Sequence, residues 1–358
     1  FERFPLGDFV NKISPGVFVM EFTHEIHSSF FEIWYCYGIV PTVILIMWLI
    51  KNIKACDKKR MAAVMAILIE SFFLVNYRQP FFWYILVYSS SVLMSVYAKE
   101  QPQFLKLAIE SILNQTVSTN EFVIVCDGPL TQALDDVLDS YSDKYKSLFK
   151  FIRLPQNLGL GPALREGIRY CNNELIARMD SDDISCLTRM QRQLQLFDED
   201  EKLDFCSGHI AEFDNNPQDI VAYRRVPCTH SEILEYAHKR NPMNHMAVMY
   251  KKSKVLGVGG YEDIKGFEDY FLWVKMLQNR CRARNIDDVL VFARVGNGMS
   301  KRRGGIKYLR QIAYLERKFY KMGFLSQKEY IFNTIVRSSI CLMPNDIRQF
   351  IYKSFLRV

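Results

Sequence analysis

The sequence predicts an α/β fold in which a Rossmann-like, mainly parallel sheet is flanked by helices. From Val92 onward, short apolar runs alternate with amphipathic helical stripes, which is the pattern of strands joined by crossover helices. Residues 1–90 carry the excess of apolar side chains and predict a hydrophobic helical segment ahead of this fold. Residues 306–358 repeat apolar side chains with a helical period and predict a C-terminal helical tail. The α/β domain itself is therefore expected over residues 91–305.

The hydrophobic segment, residues 1–90, is predicted to be transmembrane. Residues 33–50 form an uncharged run of eighteen, close to the length that a spanning helix needs. A basic cluster at 51–60 follows, as in a cytoplasmic loop, and further apolar runs occupy 61–75 and 81–88. A pair of buried core helices is the alternative interpretation of these runs.

The strands and helices of the α/β domain are predicted from apolar runs and stripes. Runs of strand length occur at 92–97, 122–126, 149–154 and from 175 onward. Helical stripes occur at 105–112, 134–141, 164–171 and 187–197. Short connections between these elements favour parallel strands, whose carboxyl ends hold the ligands in folds of this class.

Helix starts later in the chain are marked by capping residues. Thr229 and Glu232 have the spacing of a capping box, within a region expected to hold short strands and one helix. Ser326 and Glu329 repeat that spacing in the tail, and Asn345 is predicted to cap a final helix.

Composition and charge restrict the function classes. The net charge of +7 favours anionic partners such as phosphates or acidic lipid, but the cations are too scattered for a nucleic-acid-binding surface. The nine cysteines contain no C-x-x-C pair, so neither a zinc site nor a disulfide framework is predicted. Scattered single cysteines fit the reducing cytoplasm.

Three carboxylates end the predicted strand that starts at residue 175: Asp180, Asp182 and Asp183. Carboxylates this close repel one another unless a cation neutralises them. Hard oxygen ligands suit Mg²⁺ or Mn²⁺, which commonly bind together with phosphate groups. Asp127 ends an earlier strand and is expected at the same edge of the sheet. The sequence thus predicts a metal-diphosphate site at this edge.

Two further acids, Glu268 and Asp269, stand at the start of a predicted apolar helix. Negative charge is stabilised at helix N-termini, so a simple charge preference explains these acids as well as a catalytic role does. The residues alone leave both interpretations open.

Six short motifs, taken in order, resemble a glycosyltransferase of family 2. They are SVY at 95–97 followed by SILNQT at 111–116, VCDG at 125–128, NLG at 157–159, ARMDSDD at 177–183 and EDYFLW at 268–273. They are similar to bacterial exopolysaccharide and O-antigen enzymes of the amylovoran-biosynthesis type over about residues 92–305. The resemblance implies a GT-A fold, a nucleotide-sugar donor, Mn²⁺ or Mg²⁺ as cofactor and inversion at the anomeric carbon. Residues 1–90 separately resemble the tail of a polysaccharide polymerase and are interpreted as a fused piece of one.

The resemblance also assigns roles to individual side chains. The implied nucleotide-sugar contacts are Tyr97, Asp127, Asn157, Arg178, Asp180, Arg302 and Arg303. Asp182 matches the metal ligand, and Asp269 matches the general base, with Glu268 beside it. Asp183 is assigned as an acceptor-side or supporting acid. His245 is placed in the acceptor pocket, with a packed or exposed histidine as the alternative.

The implied function is the transfer of one sugar to a lipid-linked or other glycan acceptor in surface polysaccharide biosynthesis. The catalytic domain is then expected on the cytoplasmic face of a bacterial inner membrane. The Q-x-x-R-W signature of processive synthases is absent from the sequence, which favours single additions. Two alternatives stay open: a non-catalytic assembly partner of a membrane polysaccharide polymerase, and a sugar nucleotidyltransferase.

Overall fold

The computed structural model describes residues 90–295, 304–344 and 347–348, all within one compact unit. The strands in these ranges are β1 (Ser90–Val96), β2 (Glu121–Cys126), β3 (Phe149–Arg153), β4 (Leu175–Asp180), β5 (Ile184–Ser185), β6 (Leu203–Phe213), β7 (Ile220–Arg224), β8 (Met249–Lys251) and β9 (Arg282–Arg294). The four leading strands were all predicted. Strands β1, β2 and β4 are mainly apolar and almost fully buried, whereas β3 lies at the edge of the sheet and is only half-buried. The hydrophobic segment and the Asn345 cap lie outside the described residues.

Helices connect these strands and cover the sheet. They are α1 (Pro102–Leu113), α2 (Gln132–Lys144), α3 (Leu160–Tyr170), α4 (Arg189–Glu199), α5 (His230–Ala237), α6 (Lys252–Gly257), α7 (Glu268–Gln278), α8 (Gly305–Lys321) and α9 (Gln327–Leu342). Both predicted capping boxes are present, at the starts of α5 and α9. The helix predicted from the apolar stripe at 187–197 is α4, which begins only at Arg189, and Leu187 is exposed.

The sheet is mixed, so the prediction of a mainly parallel sheet is wrong. The strand order is β3-β2-β1-β4-β8-β6-β9-β5, and β7 pairs with β6. Strands β1 to β4 are mutually parallel, as are β6 and β9, whereas β8 is antiparallel to both β4 and β6. The pairs β6–β7 and β5–β9 are also antiparallel. Apolar periodicity indicates that a strand exists but not its direction, and β8 has only three residues.

The main core lies between the sheet and helices α3 and α7. Trp273 of α7 is fully buried and stacks on Phe205 of β6 with ring centroids 5.6 Å apart. Helix α3 packs directly on β1 and β2, and a Cβ atom at Gly167 would lie 2.5 Å from Leu93 Cδ1. The absence of a side chain at Gly167 therefore allows α3 to approach the sheet closely.

The tail helices α8 and α9 belong to the same core. Phe319 of α8 contacts the rings of Tyr270 and Phe271 on α7, at centroid distances of 5.0 and 5.9 Å. Glu316 is fully buried and pairs with Arg337 of α9 at 2.8 Å. Within the part of the chain that the structure describes, no helix combines the length and hydropathy that a membrane crossing requires.

Candidate active site

The register of the parallel strands brings three predicted site residues to one edge of the sheet. Ser95 of β1 pairs with Val125 of β2 on one side and with Asp180 of β4 on the other. Tyr97 and Asp127 follow shortly after Ser95 and Val125, so they lie at the same carboxyl edge as Asp180. Tyr97 is 40% exposed, whereas Asp127 is buried.

The Asp127 side chain holds the loop that precedes α3. Its carboxylate accepts hydrogen bonds from the backbone N–H groups of Leu158, at 2.7 Å, and Gly159, at 3.0 Å. The side-chain amide of Asn157 donates to the Asp127 carbonyl oxygen at 3.1 Å. Two predicted nucleotide-binding residues are therefore in direct contact, and the loop at 157–159 is fixed against the end of β2.

This contact requires a glycine after Asp127. Gly128 has a φ of +86°, and a Cβ atom there would lie 2.6 Å from the backbone nitrogen of Asn157. We expect Gly128→Ala to destabilise the fold by about 2 kcal/mol or more, because left-handed backbone and a steric clash add together. Thermal unfolding measures this. Gly257→Ala is the control, since nothing lies within 4 Å of its Cβ position; an equal loss in both variants would contradict the proposed packing.

The three aspartates at the end of β4 and just after it, Asp180, Asp182 and Asp183, are crowded and partly buried. Asp180 Oδ1 lies 2.5 Å from Arg178 Nη2. Burial, reinforced by the carboxylates of Asp180 and Glu100, raises the pKa of Asp182 to about 7. Burial, together with Asp180 and Asp182, raises the pKa of Asp183 as well. Ionisation of all three carboxyl groups is therefore unfavourable unless a cation is bound.

Arg294, at the end of β9, fixes this acidic loop. Its backbone N–H donates to Asp183 at 2.7 Å, and its Nε donates to the Asp182 carbonyl oxygen at 3.1 Å. Its guanidinium lies over the rings of Phe104 and Phe213, 3.8 and 4.6 Å from the centroids. Buried and bonded in this way, Asp183 fits the supporting role better than contact with an acceptor. Arg294 could not be recognised from the sequence, because it closes an ordinary strand far along the chain.

The oxygen ligands at this edge fit Mg²⁺ or Mn²⁺. Asp183 is buried and accepts a backbone hydrogen bond, and Asp180 pairs with Arg178, so Asp182 is the aspartate of the three that could hold a cation without giving up such a partner. Mg²⁺ is commonly held by one or two carboxylates together with substrate phosphates, so a complete protein cage is not needed. Arg302 and Arg303, predicted to cover the diphosphate, lie outside the described residues.

The two acids predicted for catalysis stand at the first turn of α7. Asp269 accepts a hydrogen bond from the Asn241 side chain at 2.6 Å, and burial raises its pKa. Burial, reinforced by Asp269, raises the pKa of Glu268 to about 7. Glu268 Oε2 is buried and has no hydrogen-bond partner. A Cβ atom at Gly161 would lie 3.2 Å from Glu268 Cβ, so these acids adjoin the start of α3 and the loop before it.

Arg178 joins the two groups of acids into one site. Its side chain is only 1% exposed and pairs with Asp180. Its positive charge also lowers the pKa of Asp182, Glu268 and Asp269, and so opposes the larger effect of burial in each. Its Nε and Nη1 atoms are buried without a hydrogen-bond partner. The predicted metal ligand and the predicted base are therefore within electrostatic reach of the same guanidinium.

His245 lies beside this cluster as a packed, neutral side chain. Its Nε2 atom is 2.9 Å from the Tyr261 hydroxyl, and its ring centroid is 6.1 Å from that of Trp273. Burial, followed by the charge of Arg178, lowers the His245 pKa well below its ordinary value. The packed-histidine alternative fits these contacts better than a place in the acceptor pocket.

Three other residues of kinds that bind metal ions lie close together: His209, Cys228 and Asp287. His209 Nδ1 accepts the backbone N–H of Val226 at 3.3 Å. In the neutral imidazole, Nε2 must then carry the proton that it donates to Asp287, 2.9 Å away. Neither ring nitrogen offers a free lone pair, so we assign no metal to this set.

Comparisons with known proteins identify the family. Residues 91–257 match the model described as glycosyl transferase family 2. The chain is 41% identical to an uncharacterized glycosyltransferase of Haemophilus influenzae, over 75% of this chain and 98% of that protein. It is 39% identical to the UDP-Gal:α-D-GlcNAc-diphosphoundecaprenol β-1,3-galactosyltransferase of Escherichia coli, over 75% of this chain and 96% of that protein. The chain belongs to glycosyl transferase family 2.

Further similarities place this family-2 enzyme among proteins of bacterial polysaccharide biosynthesis. It is 32% identical to the amylovoran biosynthesis glycosyltransferase AmsE of Erwinia amylovora, over 74% of this chain and 97% of that one. The predicted resemblance to exopolysaccharide and O-antigen glycosyltransferases is therefore confirmed.

Solved structures show the same α/β, GT-A-like fold. Mannosyltransferase PcManGT from Pyrobaculum calidifontis, in complex with GDP-Man and Mn²⁺, superposes with a TM-score of 0.52 at 14% identity and 70% coverage of each chain. S. aureus TarS 1–349, in complex with UDP-GlcNAc, gives 0.51 at 18% identity, over 65% of this chain and 66% of that one.

Proposed function

We propose that this family-2 glycosyltransferase moves one sugar, with inversion, from a nucleoside diphosphate sugar to a lipid-linked glycan acceptor. The observation that carries the proposal is the convergence of the Asp180–Asp183 carboxylates and the two acids of α7 around Arg178. The Escherichia coli relative, by its name, uses UDP-Gal and a diphosphoundecaprenol-linked GlcNAc, which supports a UDP-sugar donor and a lipid diphosphate acceptor here.

The donor would lie along the carboxyl edge of the parallel strands. The exposed ring of Tyr97 can stack on the nucleobase, and Asp127 and Asn157 would line the ribose side. Asp182 would hold Mn²⁺ or Mg²⁺ against the diphosphate, with Arg302 and Arg303 as further cations. The bound ion supplies neutralisation of the negative charge that develops on the leaving diphosphate.

Asp269 would act as the general base. As the acceptor hydroxyl oxygen forms its bond to the anomeric carbon, the bond from that carbon to the diphosphate oxygen breaks, and the hydroxyl proton passes to the carboxylate. A single displacement of this kind inverts the anomeric centre. Asn241 would orient Asp269 for this step. Glu268 is the second candidate for the base, because one of its oxygens has no partner.

The direct test incubates the full chain with UDP-, GDP- and dTDP-sugars, Mn²⁺ and a GlcNAc-diphosphate-lipid acceptor. Mass spectrometry of the lipid product should show one added sugar, with release of a nucleoside diphosphate. In a separate incubation with a nucleoside triphosphate and a sugar 1-phosphate, release of pyrophosphate would indicate a sugar nucleotidyltransferase instead. Neither transfer nor metal-dependent donor hydrolysis with any donor would favour a non-catalytic assembly partner.

We place the enzyme at the cytoplasmic face of a bacterial inner membrane. A lipid-linked acceptor is held in the bilayer, and nucleotide sugars are made in the cytoplasm, so the reaction requires both at one surface. The basic cluster at 51–60, which predicts a cytoplasmic loop, supports the same orientation.

Cation affinity should depend on pH. The Asp182 pKa is raised to about 7, and a protonated carboxyl group is a poor metal ligand. In the presence of UDP, we expect Mn²⁺ affinity to fall by up to about tenfold per pH unit below about pH 7 and to level off above it. Titration calorimetry measures this, with Asp182→Asn as the comparison. An affinity that stays constant from about pH 8 to about pH 6 would contradict the assignment of Asp182.

A further inference from the structure

Helix α9 presents an apolar face outward. Its inward side is closed by Asn333, Cys341 and the ion pair of Arg337 with Glu316. On the opposite side, at helical spacing, stand exposed apolar side chains: Ile331, Phe332, Ile335, Val336 and Leu342. Phe332 is 66% exposed, Ile335 60% and Leu342 62%. A surface helix normally turns its apolar side chains to the core and its polar side chains to solvent. This outward apolar face is therefore expected to contact a further apolar surface.

The two tail helices carry an excess of exposed cations. Residues 305–342 contain only two acids: Glu316 is buried against Arg337, and Glu329 bonds the start of its own helix and His238. Five cations are exposed on α8 and α9, namely Lys307, Arg310, Arg317, Lys321 and Lys328. Helix α8 also has three exposed apolar or aromatic side chains, Ile306, Tyr314 and Tyr320. On α9 itself, Lys328 lies one turn before Phe332 and two turns before Ile335, on the same outward side. An apolar helix face that also carries a cation is typical of helices that lie in the interface of an anionic bilayer.

We propose that the outward face of α9 rests on an anionic lipid bilayer. Its apolar residues would enter the headgroup boundary, while Lys328 and the exposed cations of α8 attract anionic headgroups. A second copy of the chain fits this surface less well. A twofold interface would set the same cations against each other and repel them.

The position of this surface suits an acceptor carried by a lipid. The Cys341 thiol lies 3.4 Å from the Gly305 carbonyl oxygen, so the end of α9 meets the start of α8. Tyr308, in the first turn of α8, contacts Phe267 at a centroid distance of 5.4 Å, and Phe267 directly precedes Glu268. The end of α9, where Leu342 is exposed, is thus connected through the start of α8 to the helix start that carries the proposed base. This part of the inference rests on the proposed function, whereas bilayer contact itself does not.

Hydrogen–deuterium exchange of the full chain tests the contact locally, without donor or acceptor. With vesicles of phosphatidylcholine and phosphatidylglycerol, we expect amides of α9 to exchange more slowly than without vesicles, and to change less with phosphatidylcholine alone. The double variant Phe332→Ser, Ile335→Ser should lose this protection, with an affinity of α9 for the vesicles lower by about tenfold or more. The matched control is Leu187→Ser, Val221→Ser, which removes two side chains that are 58% and 59% exposed elsewhere.

Three results would overturn the proposal. In the first, α9 exchanges at its solution rate although the chain is bound to vesicles through another segment. In the second, α9 is protected without lipid in proportion to protein concentration, which would indicate contact between copies. In the third, the control variant loses protection as much as the double variant does. Sugar transfer is assayed separately, so a failure of the proposed function with α9 still protected would leave the bilayer contact standing.

Discussion

Replacing Asp182 by asparagine should abolish metal-dependent sugar transfer. Asparagine keeps the shape of the side chain but removes the charge that would hold the cation. We expect a loss of at least about 10³-fold in the turnover rate, since the charge on the leaving diphosphate would no longer be neutralised. Initial rates of product formation across a range of Mn²⁺ concentrations measure the effect.

Folding failure can be distinguished from loss of the metal ligand. Because the Asp182 pKa is raised in the folded chain, ionised Asp182 destabilises the fold, and its contribution at high pH is unfavourable. Without metal and above about pH 7, Asp182→Asn should therefore unfold no earlier than the parent chain. Asp219→Asn, at an exposed position between β6 and β7, is the control for activity. Undiminished Mn²⁺-dependent transfer by the Asp182 variant would disprove the assignment.

Asp269→Asn should spare donor binding and reduce transfer by about 10²–10⁴-fold, because the acceptor hydroxyl would lose its proton acceptor. Donor affinity is measured by calorimetry with UDP and Mn²⁺, and transfer by product formation. Glu268→Gln is the variant to compare with Asp269→Asn, because Glu268 is the second candidate for the base. Its pKa is about 7, and one of its oxygens has no hydrogen-bond partner. The larger loss of transfer, at equal donor affinity, identifies the base.

Asp263→Asn controls for the loss of a carboxylate near α7, since Asp263 is exposed five residues before Glu268. It should retain the parent rate. If Asp269→Asn transfers sugar at the parent rate as well, Asp269 has no part in proton transfer. A weaker donor affinity in that variant would indicate instead that Asp269 shapes the donor pocket.

The donor side of the site could be predicted because its signals are local in the sequence. Strands β2 and β4 are short, mainly apolar runs, and Asp127 and Asp180 stand at their ends, so both acids could be placed at one edge. The capping boxes at Thr229 and Ser326 involve residues only three apart and were predicted for the same reason.

The contacts that complete the site could not be predicted, because they join distant parts of the chain. Arg294 bonds the loop of Asp182 and Asp183 across more than a hundred residues, and nothing in its neighbourhood marks it. Asn241 reaches Asp269 from the loop after α5. The antiparallel insertion of β8 escaped prediction in the same way, because a three-residue strand leaves no periodic pattern.

The hydrogen bonds between Asp127 and the loop at 157–159 have an energetic consequence for ligand affinity. The Asp127 carboxylate is already bonded to the N–H groups of Leu158 and Gly159 before any nucleotide arrives. The conformational entropy of ordering this loop is therefore lost during folding and not during association. A nucleotide that meets such a preorganised wall keeps more of its contact energy as net affinity. Changing which base or ribose is accepted should thus require replacing the loop as a unit together with the aspartate that anchors it.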